Sequence, residues 1–346
     1  MKAAFLTGIR EMEIRETAAP EIEGPHHVLL RISVVGVCGS DVHYYTTGRI
    51  GTLVVNYPEW TGHECAATVV AVGDHVQKVK VGQRVAVDPL ITCGQCDQCL
   101  SGREHTCRQQ RFLACPGQAP GALAEYLVMP ERSCFPIPES MSMVEAAVVE
   151  PLSIGVYAQR LAGMQPGATV AILGCGPIGL CVLLASRAAL ECSVYATDLI
   201  EERLEVARRC GARWTGNAGK GDVVKAILDL EPRGVDFVFE CAGQQETLDQ
   251  AIELLKPGGT ALMIGIPEVD RVSFEIHTLR RKEIRLQSVR RQNECMVPAI
   301  DLVAQGAINV APLVTHHFPF AETKKAFDLV AGYGDGVVKA MVHVAD

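Results

Sequence analysis

One glycine-rich turn constrains the fold of this chain more than any other segment. The sequence "TVAILGCGPIGL" passes from an apolar, β-branched stretch directly into G-x-G-x-x-G, formed by Gly174, Gly176 and Gly179. The first glycine allows a tight turn, the second lets a ligand approach the backbone, and the third lets a helix close onto the strand. A helical pattern from Ile178 to Ala189 then offers free N–H groups and a positive dipole end to an anion. The turn therefore predicts a site for the pyrophosphate of a dinucleotide.

Strand and helix patterns alternate through the segment that contains this turn. Strand patterns occur in "TVAIL", "CSVYATD", "VDFVFECAG" and "TALMIGI". Helical patterns lie between them, in "EERLEVARRCGA", "DVVKAILDL" and "QETLDQAIELL". This alternation is typical of an α/β domain with a doubly wound parallel sheet.

The residue that ends the second strand of this segment is Asp198, 19 residues after Gly179. A carboxylate there can accept hydrogen bonds from both ribose hydroxyls and repels a 2′-phosphate, which favours NAD over NADP. Alternatively, Asp198 caps the helix that begins near Glu201. The two roles can coexist.

Composition and charge exclude several other classes of protein. Residues 161–186 carry no charged side chain, but prolines and glycines interrupt them, so we expect a strand, a turn and a helix rather than a membrane span. The N-terminus shows no apolar segment of signal-peptide length, which predicts a cytoplasmic protein. The net charge of -8 without a basic run predicts no nucleic-acid partner.

Four cysteines are spaced C-x2-C-x2-C-x7-C at Cys93, Cys96, Cys99 and Cys107. Four thiolates close a tetrahedral zinc shell and leave no vacant position, so this spacing predicts a structural zinc site. The alternative is a reduced, metal-free loop. Fourteen cysteines in a chain without an export signal favour metal ligands and reduced thiols over disulfides.

A second group of potential ligands lies in other segments. "GVCGSDVHYY" supplies a thiol, a hydroxyl, a carboxylate and an imidazole, "TGHECAA" an imidazole and a carboxylate, and "VVEPLS" a carboxylate. A thiolate, an imidazole and a carboxylate can bind zinc while keeping one position open. Taken singly, each residue is weak evidence, because a lone histidine or cysteine usually serves packing. The residues concerned are Cys38, Ser40, Asp41, His43, His63, Glu64 and Glu150.

The combination of segments resembles the zinc-containing medium-chain alcohol dehydrogenase family over essentially the full length, and most closely its polyol (sorbitol, xylitol) branch. The segments that match are "CGSDVHYYTTGRIG", "GHE", "VGDHVQKVKVGQRV", the four-cysteine lobe, "EPLSIG", "GCGPIG", "ATD" and "LVTHHF". The resemblance implies a GroES-like β-barrel catalytic domain formed by residues 1–151 and 292–346, with the structural zinc lobe at about 88–115. A Rossmann domain, 152–291, is inserted between the two parts.

The resemblance also implies roles for individual residues. Cys38, His63 and Glu64 occupy positions of the catalytic zinc site, and Glu150 either holds the water on the zinc or reaches the metal itself. Which of the two glutamates is the third ligand stays open. The residues matching dinucleotide contacts are Gly174, Gly176, Ile178, Gly179, Asp198, Arg203, Ile264, Gly265, Ile266, Val289 and Arg291. Those matching substrate contacts are Tyr44, Glu150, Arg291 and Gln292, and Gln292 stands where sorbitol dehydrogenases carry tyrosine.

The activity implied by the resemblance is hydride transfer from a secondary hydroxyl of a polyol to NAD, which gives a ketose. It uses two Zn²⁺ per subunit, one catalytic and one structural. Ser40, the nicotinamide ribose and His43 relay the proton, and Asp41 orients a ligating histidine. The alternatives are an L-threonine or 2,3-butanediol dehydrogenase on the same scaffold, and, from another class, a catalytically silent dinucleotide-binding zinc protein. A homotetramer or homodimer is expected, with the strand in "EIRLQSVR" as a pairing edge.

Overall fold

The computed structural model describes residues 1–345, which form two compact units. The first unit contains Met1–Glu150, Met296–Gln305 and the segment from Val314 onward. The second contains Pro151–Cys295 and Gly306–Leu313. Residues 292–295 and Gly306–Leu313 therefore pack with the second unit, whereas the family resemblance assigned them to the catalytic domain. For residues 292–295 the reason is a long-range contact, because the Arg160 guanidinium donates hydrogen bonds to the carbonyl oxygens of Asn293 and Glu294.

Short strands dominate the N-terminal part of the first unit, as its sequence predicts. They are β1 Lys2–Gly8, β2 Glu11–Glu16, β3 His27–Gly36, β4 Arg49–Ile50, β5 Leu53–Val54, β6 Glu59–Trp60, β7 Glu64–Val72, β8 Arg84–Val87, β9 Leu90–Ile91, β10 Arg111–Phe112, β11 Tyr126–Pro130 and β12 Cys134–Pro136. The helices found up to the junction with the second unit are α1 Gly39–Thr47, α2 Asp97–Leu100 and α3 Met143–Ala162, with 3-10 turns at Glu104–Thr106 and Glu131–Ser133.

Helix α1 interrupts a region that the family resemblance predicts to be part of a β-barrel. It begins after Cys38 and ends at Gly48, whose φ of 72° is the left-handed conformation that terminates helices. The Gly48 N–H donates to the Tyr44 carbonyl and closes the last turn. The helix therefore holds Ser40, Asp41, His43 and Tyr44 at fixed positions after Cys38.

The second unit is built around a six-stranded sheet in which every pairing is parallel. Its strands are β13 Thr169–Leu173, β14 Ser193–Asp198, β15 Trp214–Asn217, β16 Val235–Glu240, β17 Leu255–Met263 and β18 Arg285–Ser288. Its helices are α4 Pro177–Ala189, α5 Glu201–Arg209, α6 Val223–Leu230, α7 Gln245–Leu254 and α8 Ile276–Arg281. The strand order β15-β14-β13-β16-β17-β18 reverses direction between β13 and β16. The doubly wound fold is confirmed.

The rest of the chain contributes two helices and two strands to the first unit. These are α9 Met296–Ala304, α10 Thr323–Ala331, β19 Val314–Pro319 and β20 Lys339–His343, with 3-10 turns at Phe320–Glu322 and Gly334–Gly336. A further 3-10 turn, Ala311–Leu313, belongs to the second unit. The sequence indicated only strands here. Helix α10 forms because its buried Ala326 and Phe327 pack on the core of the first unit.

The largest sheet of the first unit joins the two ends of the chain. Its order is β12-β8-β7-β3-β20-β19, with β11 also paired to β3. Strand β20 lies antiparallel to β3, with Met341 opposite Gly36. Alternate residues of β3, such as Val28, Leu30 and Ile32, are buried in the core. This pairing brings the beginning of β20 next to the strand that leads into Cys38.

No helix within residues 1–345 combines the length and the apolar character that a bilayer span requires.

Candidate active site and metal centres

The four predicted structural ligands lie together in one lobe of the first unit. The sulfurs of Cys93, Cys96, Cys99 and Cys107 lie within 4.8 Å of one another. Individual Sγ–Sγ distances are 3.5 Å for Cys93–Cys107 and 3.6 Å for Cys96–Cys99. A tetrahedron with Zn–S bonds of about 2.3 Å places its sulfurs roughly 3.8 Å apart. The thiol positions therefore fit a closed zinc shell.

The backbone around this lobe favours thiolates. N–H groups of Arg108 and Cys99 lower the pKa of Cys96 to about 6. The N–H groups of Cys93 and Gln109 both point at the sulfur of Cys107, at 3.4 Å. Such donors stabilise the deprotonated form that binds metal.

A second, separate group of ligand atoms lies in the same unit. The Cys38 sulfur, a His63 ring nitrogen and a Glu64 carboxylate oxygen lie within 4.8 Å of one another. Cys38 precedes α1, while His63 and Glu64 lie at the start of β7. Sulfur, nitrogen and oxygen donors in one buried cluster fit a zinc ion with a position left open.

Neighbouring side chains hold two of these ligands. Asp41 Oδ2 lies 3.1 Å from His63 Nδ1, and both side chains are buried. This contact leaves the other ring nitrogen of His63 for a metal, as carboxylate–histidine pairs do in metal sites. Burial lowers the pKa of His63, but Asp41 and Cys38 outweigh it and hold the pKa well above its usual range. The Ser40 hydroxyl donates to the Cys38 sulfur at 3.3 Å.

Lys339 is a member of this cluster that the sequence analysis missed. Its Nζ donates to both Glu64 carboxylate oxygens, at 2.6 and 2.8 Å, and to the Val37 carbonyl at 3.2 Å. Both side chains of the ion pair are at most 2% exposed. The only signal in the sequence was a lysine inside the apolar stretch "GVVKAMVHV". A buried lysine is costly unless it is paired, so an anionic partner could have been expected.

Glu150 is buried near the same cluster. Burial, helped by the charges of Glu64 and Asp88 and opposed by His63 and Lys339, raises its pKa to about 8. Glu150 does not belong to the group of Cys38, His63 and Glu64, whose ligand atoms lie within 4.8 Å of one another. It is therefore a carboxyl that interacts electrostatically with the cluster.

Helix α1 and the segment around β10 supply further side chains beside these ligands. Tyr44 is buried, and its hydroxyl lies 3.8 Å from the Cys115 sulfur. The Phe112 ring packs 5.2 Å from the His63 ring, measured between centroids. His43 is half-buried and lies three residues after Ser40, so the two side chains share one face of the helix.

The glycine turn has the geometry that its sequence predicts. Gly174 has a φ of 98°, which only glycine adopts readily. A Cβ on Gly179 would lie 1.9 Å from the Gly174 carbonyl oxygen, so the third glycine is needed for close packing. The N–H groups at the start of α4 are left for an anion.

Asp198 and Arg203 lie beside this turn. The Asp198 carboxylate accepts the N–H of Cys175 at 2.7 Å and the N–H of Ile200 at 2.9 Å. A Cβ on Gly176 would lie 3.7 Å from the Arg203 guanidinium. Ile200, rather than Asp198, is the residue that caps α5. The carboxylate therefore ties the glycine turn to the end of the neighbouring strand.

The remaining predicted dinucleotide contacts follow strands of the same sheet. Ile178 is half-buried in the first turn of α4, directly after β13. Ile264, Gly265 and Ile266 come directly after β17, and Ile266 is 46% exposed there. Val289 comes directly after β18. All five positions lie at the carboxyl edge of the sheet, where doubly wound folds bind nucleotides.

Glu240 was not identified from the sequence, although its carboxylate organises this edge. Its Oε1 accepts the N–H groups of Ala242 and Gly243 and the Thr247 hydroxyl, at 2.7 to 2.8 Å. An acidic residue that ends an apolar strand just before a glycine was the available signal.

Arg291 and Gln292 lie in the loop after β18. Arg291 has a φ of 53°. Gln292 is 7% exposed, and its Oε1 accepts the Cys295 N–H at 2.8 Å. The amide oxygen of Gln292 thus bonds the loop to itself.

Comparison with known proteins identifies the family of this chain. Residues 24–139 match the family described as "Alcohol dehydrogenase GroES-like domain", and residues 177–305 match "Zinc-binding dehydrogenase". The sorbitol dehydrogenase of Bacillus subtilis is 37% identical over 99% of this chain and 97% of its own length. The probable D-xylulose reductase A of Aspergillus clavatus is 34% identical over 99% of this chain and 96% of its own length.

A solved structure extends the comparison to three dimensions. ECK1772 of Escherichia coli, an oxidoreductase/dehydrogenase of unknown specificity, superposes with a TM-score of 0.92 at 31% identity. The match covers 100% of this chain and 99% of that one. With the predicted zinc ligands, glycine turn and two-unit fold, these similarities confirm the resemblance. The chain belongs to the zinc-containing medium-chain alcohol dehydrogenase family.

Proposed function

We propose that this protein oxidises a secondary hydroxyl of a sorbitol- or xylitol-like polyol to a ketone, with NAD as hydride acceptor. The observation that carries the proposal is the group of the half-buried Cys38 and the buried His63 and Glu64, with the carboxyl of Glu150 in electrostatic range. The names of the relatives, a sorbitol dehydrogenase and a xylulose reductase, support the substrate class. The glycine turn with Asp198 supports NAD.

Zinc, when bound, supplies a Lewis acid that acidifies the substrate hydroxyl, and NAD supplies the hydride acceptor. Cys38, His63 and Glu64 would hold the catalytic ion, and the four-cysteine lobe the structural one. Lys339 donates hydrogen bonds to both carboxylate oxygens of Glu64 and thereby orients the Glu64 side chain. Asp41 fixes the ring of His63.

The side chains of α1 supply the route for the proton. We assign to Ser40 the acceptance of the hydroxyl proton, because its oxygen lies 3.3 Å from the ligand sulfur of Cys38. His43, on the same face of α1, would pass the proton on. Imidazole suits this step because it both accepts and donates protons near neutral pH.

Polar partners for the neighbouring hydroxyls distinguish a polyol from a simple alcohol. Tyr44 and Glu150 are a buried hydroxyl and a buried carboxyl of the first unit. Arg291 is assigned to substrate and cofactor by the family pattern. A site built to bond a hydroxyl strongly rejects analogues that lack it.

The rate of NADH formation, followed by absorbance, tests this proposal. The zinc-loaded protein is given NAD with sorbitol, xylitol, L-threonine, 2,3-butanediol or ethanol. We expect sorbitol or xylitol to give the highest kcat/KM. A higher kcat/KM for L-threonine or 2,3-butanediol would mean that the polyol substrate class is wrong. NADH binding without turnover of any of these alcohols would indicate a catalytically silent protein.

The cellular setting and assembly form part of the proposal. All fourteen cysteines are free thiols, which fits a reducing compartment such as the cytoplasm. Within residues 1–345, strand β18 pairs with β17 alone and so leaves one edge of the sheet for a second copy. We propose a homodimer or homotetramer that uses this edge.

A further inference from the structure

The loop between β18 and α9 holds two residues in an unfavourable backbone conformation. Arg291 and Glu294 both have a φ of 53°. Residues other than glycine rarely adopt this left-handed conformation, because their Cβ atom crowds the backbone. Such residues persist only where the surroundings fix them, and they concentrate at functional sites.

Two side chains fix this loop, one from inside it and one from outside. Gln292 is 7% exposed and accepts the Cys295 N–H at 2.8 Å. The exposed Arg160 of α3 donates to the carbonyls of Asn293 and Glu294, at 3.3 and 3.4 Å. These bonds lie between the two left-handed residues and just after them. They therefore fix the backbone that directly follows Arg291.

We infer that Gln292 is a positioning residue, which fixes the strained conformation of Arg291 and thereby its contact with the dinucleotide. The inference rests on the proposed function, since the contact of Arg291 with cofactor is part of it. It also gives a physical reason for glutamine at this position. An amide oxygen on a flexible side chain can accept the N–H of Cys295 inside the loop, whereas a rigid phenol ring cannot fold back in the same way.

A double-mutant cycle separates positioning from general stabilisation. NADH affinity is measured by fluorescence titration for wild type, Gln292→Met, Arg291→Ala and the double variant. Methionine keeps the length of the side chain and lacks the acceptor. Losing one buried hydrogen bond should weaken NADH binding on the order of tenfold. In the Arg291→Ala background, the same change should alter NADH affinity less than about twofold.

Two further variants serve as controls. Gln292→Glu keeps an acceptor oxygen and should recover most of the NADH affinity lost in Gln292→Met. Gln287→Met makes the same substitution on β18, where the amide donates to the Ser288 carbonyl and not to this loop. It should leave NADH affinity at the wild-type value.

Several results would overturn the inference. These are unchanged NADH affinity in Gln292→Met, an equal loss in the Arg291→Ala background, or unchanged affinity in Arg291→Ala itself. If Gln292→Met fails to fold, Arg160→Met takes its place, since Arg160 is exposed and braces the same loop. Arg160→Met should weaken NADH binding only when Arg291 is present. An equal loss of NADH affinity with and without Arg291 counts against the inference. Wild-type protein that binds no NADH would instead contradict the proposed function.

Discussion

Buried carboxylates of this protein behave differently according to the groups beside them. Lys339 neutralises Glu64, and the ring of His63 pairs with Asp41. Glu150 is also buried, but burial together with two neighbouring acids raises its pKa to about 8. At the residue scale, the local partners rather than the residue type decide how a buried carboxyl is stabilised, and Glu150 is the carboxyl of this group whose pKa is raised.

Replacing Glu150 should impair catalysis. In the proposed site, Glu150→Ala removes the buried carboxyl that lies in electrostatic range of the zinc ligands. We expect kcat to fall on the order of 10–1000-fold, as it does when one preorganised contact is lost. The measurement is steady-state NADH formation with the preferred polyol. Glu139→Ala, an exposed carboxylate in the same unit, is the control, and a near-normal kcat in Glu150→Ala would remove Glu150 from the site.

Replacing Asp198 should weaken the binding of NAD and reduce the preference of the enzyme for NAD over NADP. The carboxylate bonds the backbone of the glycine turn, and we propose that it also bonds the ribose hydroxyls. Losing these charged acceptors should raise the KM for NAD by about 10–100-fold. The KM values for NAD and NADP are compared with those of Asp229→Ala, an exposed aspartate of the same unit. A wild-type enzyme that prefers NADP would contradict this role.

At the scale of elements, the cysteine lobe and helix α1 arrange their potential zinc ligands differently. The lobe closes four thiols on one another, supported by α2 and the Asp97–Arg108 ion pair. Helix α1 instead carries Ser40 and His43 just after Cys38, and the other two ligands of that cluster come from the start of β7. We propose that the first arrangement stabilises structure and that the second keeps a position open for a substrate.

Cys99→Ser should therefore affect stability rather than chemistry. A serine hydroxyl replaces a thiolate poorly on zinc, so the zinc content should fall from about two per subunit toward one. We expect a lower Tm, while the protein that remains folded keeps the wild-type KM for its polyol. Zinc analysis and thermal unfolding measure this, with Cys210→Ser as a control outside both clusters. Normal stability with abolished turnover would reverse the assignment of the two sites.

The sequence predicts elements best where the signal is local. The glycine turn, the strand that ends at Asp198 and the four cysteines each lie within one short segment, and the structure contains them as expected. Helix α1 was not predicted, because its nine residues have little amphipathic pattern and its boundaries depend on Cys38 and the left-handed Gly48. Helix propensity alone is a weak guide for such a segment.

At the scale of the molecule, long-range pairs were beyond the sequence patterns. Lys339 and Glu64 are 275 residues apart and meet because β20 pairs with β3 beside β7. The packing of residues 292–295 with the second unit likewise depends on Arg160, 133 residues before Asn293. No local periodicity records either contact. The resemblance to a family supplied the overall plan, and only the folded chain shows these pairs.

The proposed zinc site of Cys38, His63 and Glu64, with the buried carboxyl of Glu150 in electrostatic range, is proposed to select polyols over simple alcohols. The decisive quantity is the ratio of kcat/KM for sorbitol or xylitol to kcat/KM for ethanol, in wild type and in Glu150→Cys. Cysteine would replace the carboxyl that we propose bonds a substrate hydroxyl with a thiolate that can bind zinc. We predict a wild-type ratio on the order of 10⁴, and a large decrease of this ratio in Glu150→Cys with zinc content unchanged. Wild-type enzyme that oxidises ethanol as efficiently as sorbitol and xylitol would refute polyol selection by this site.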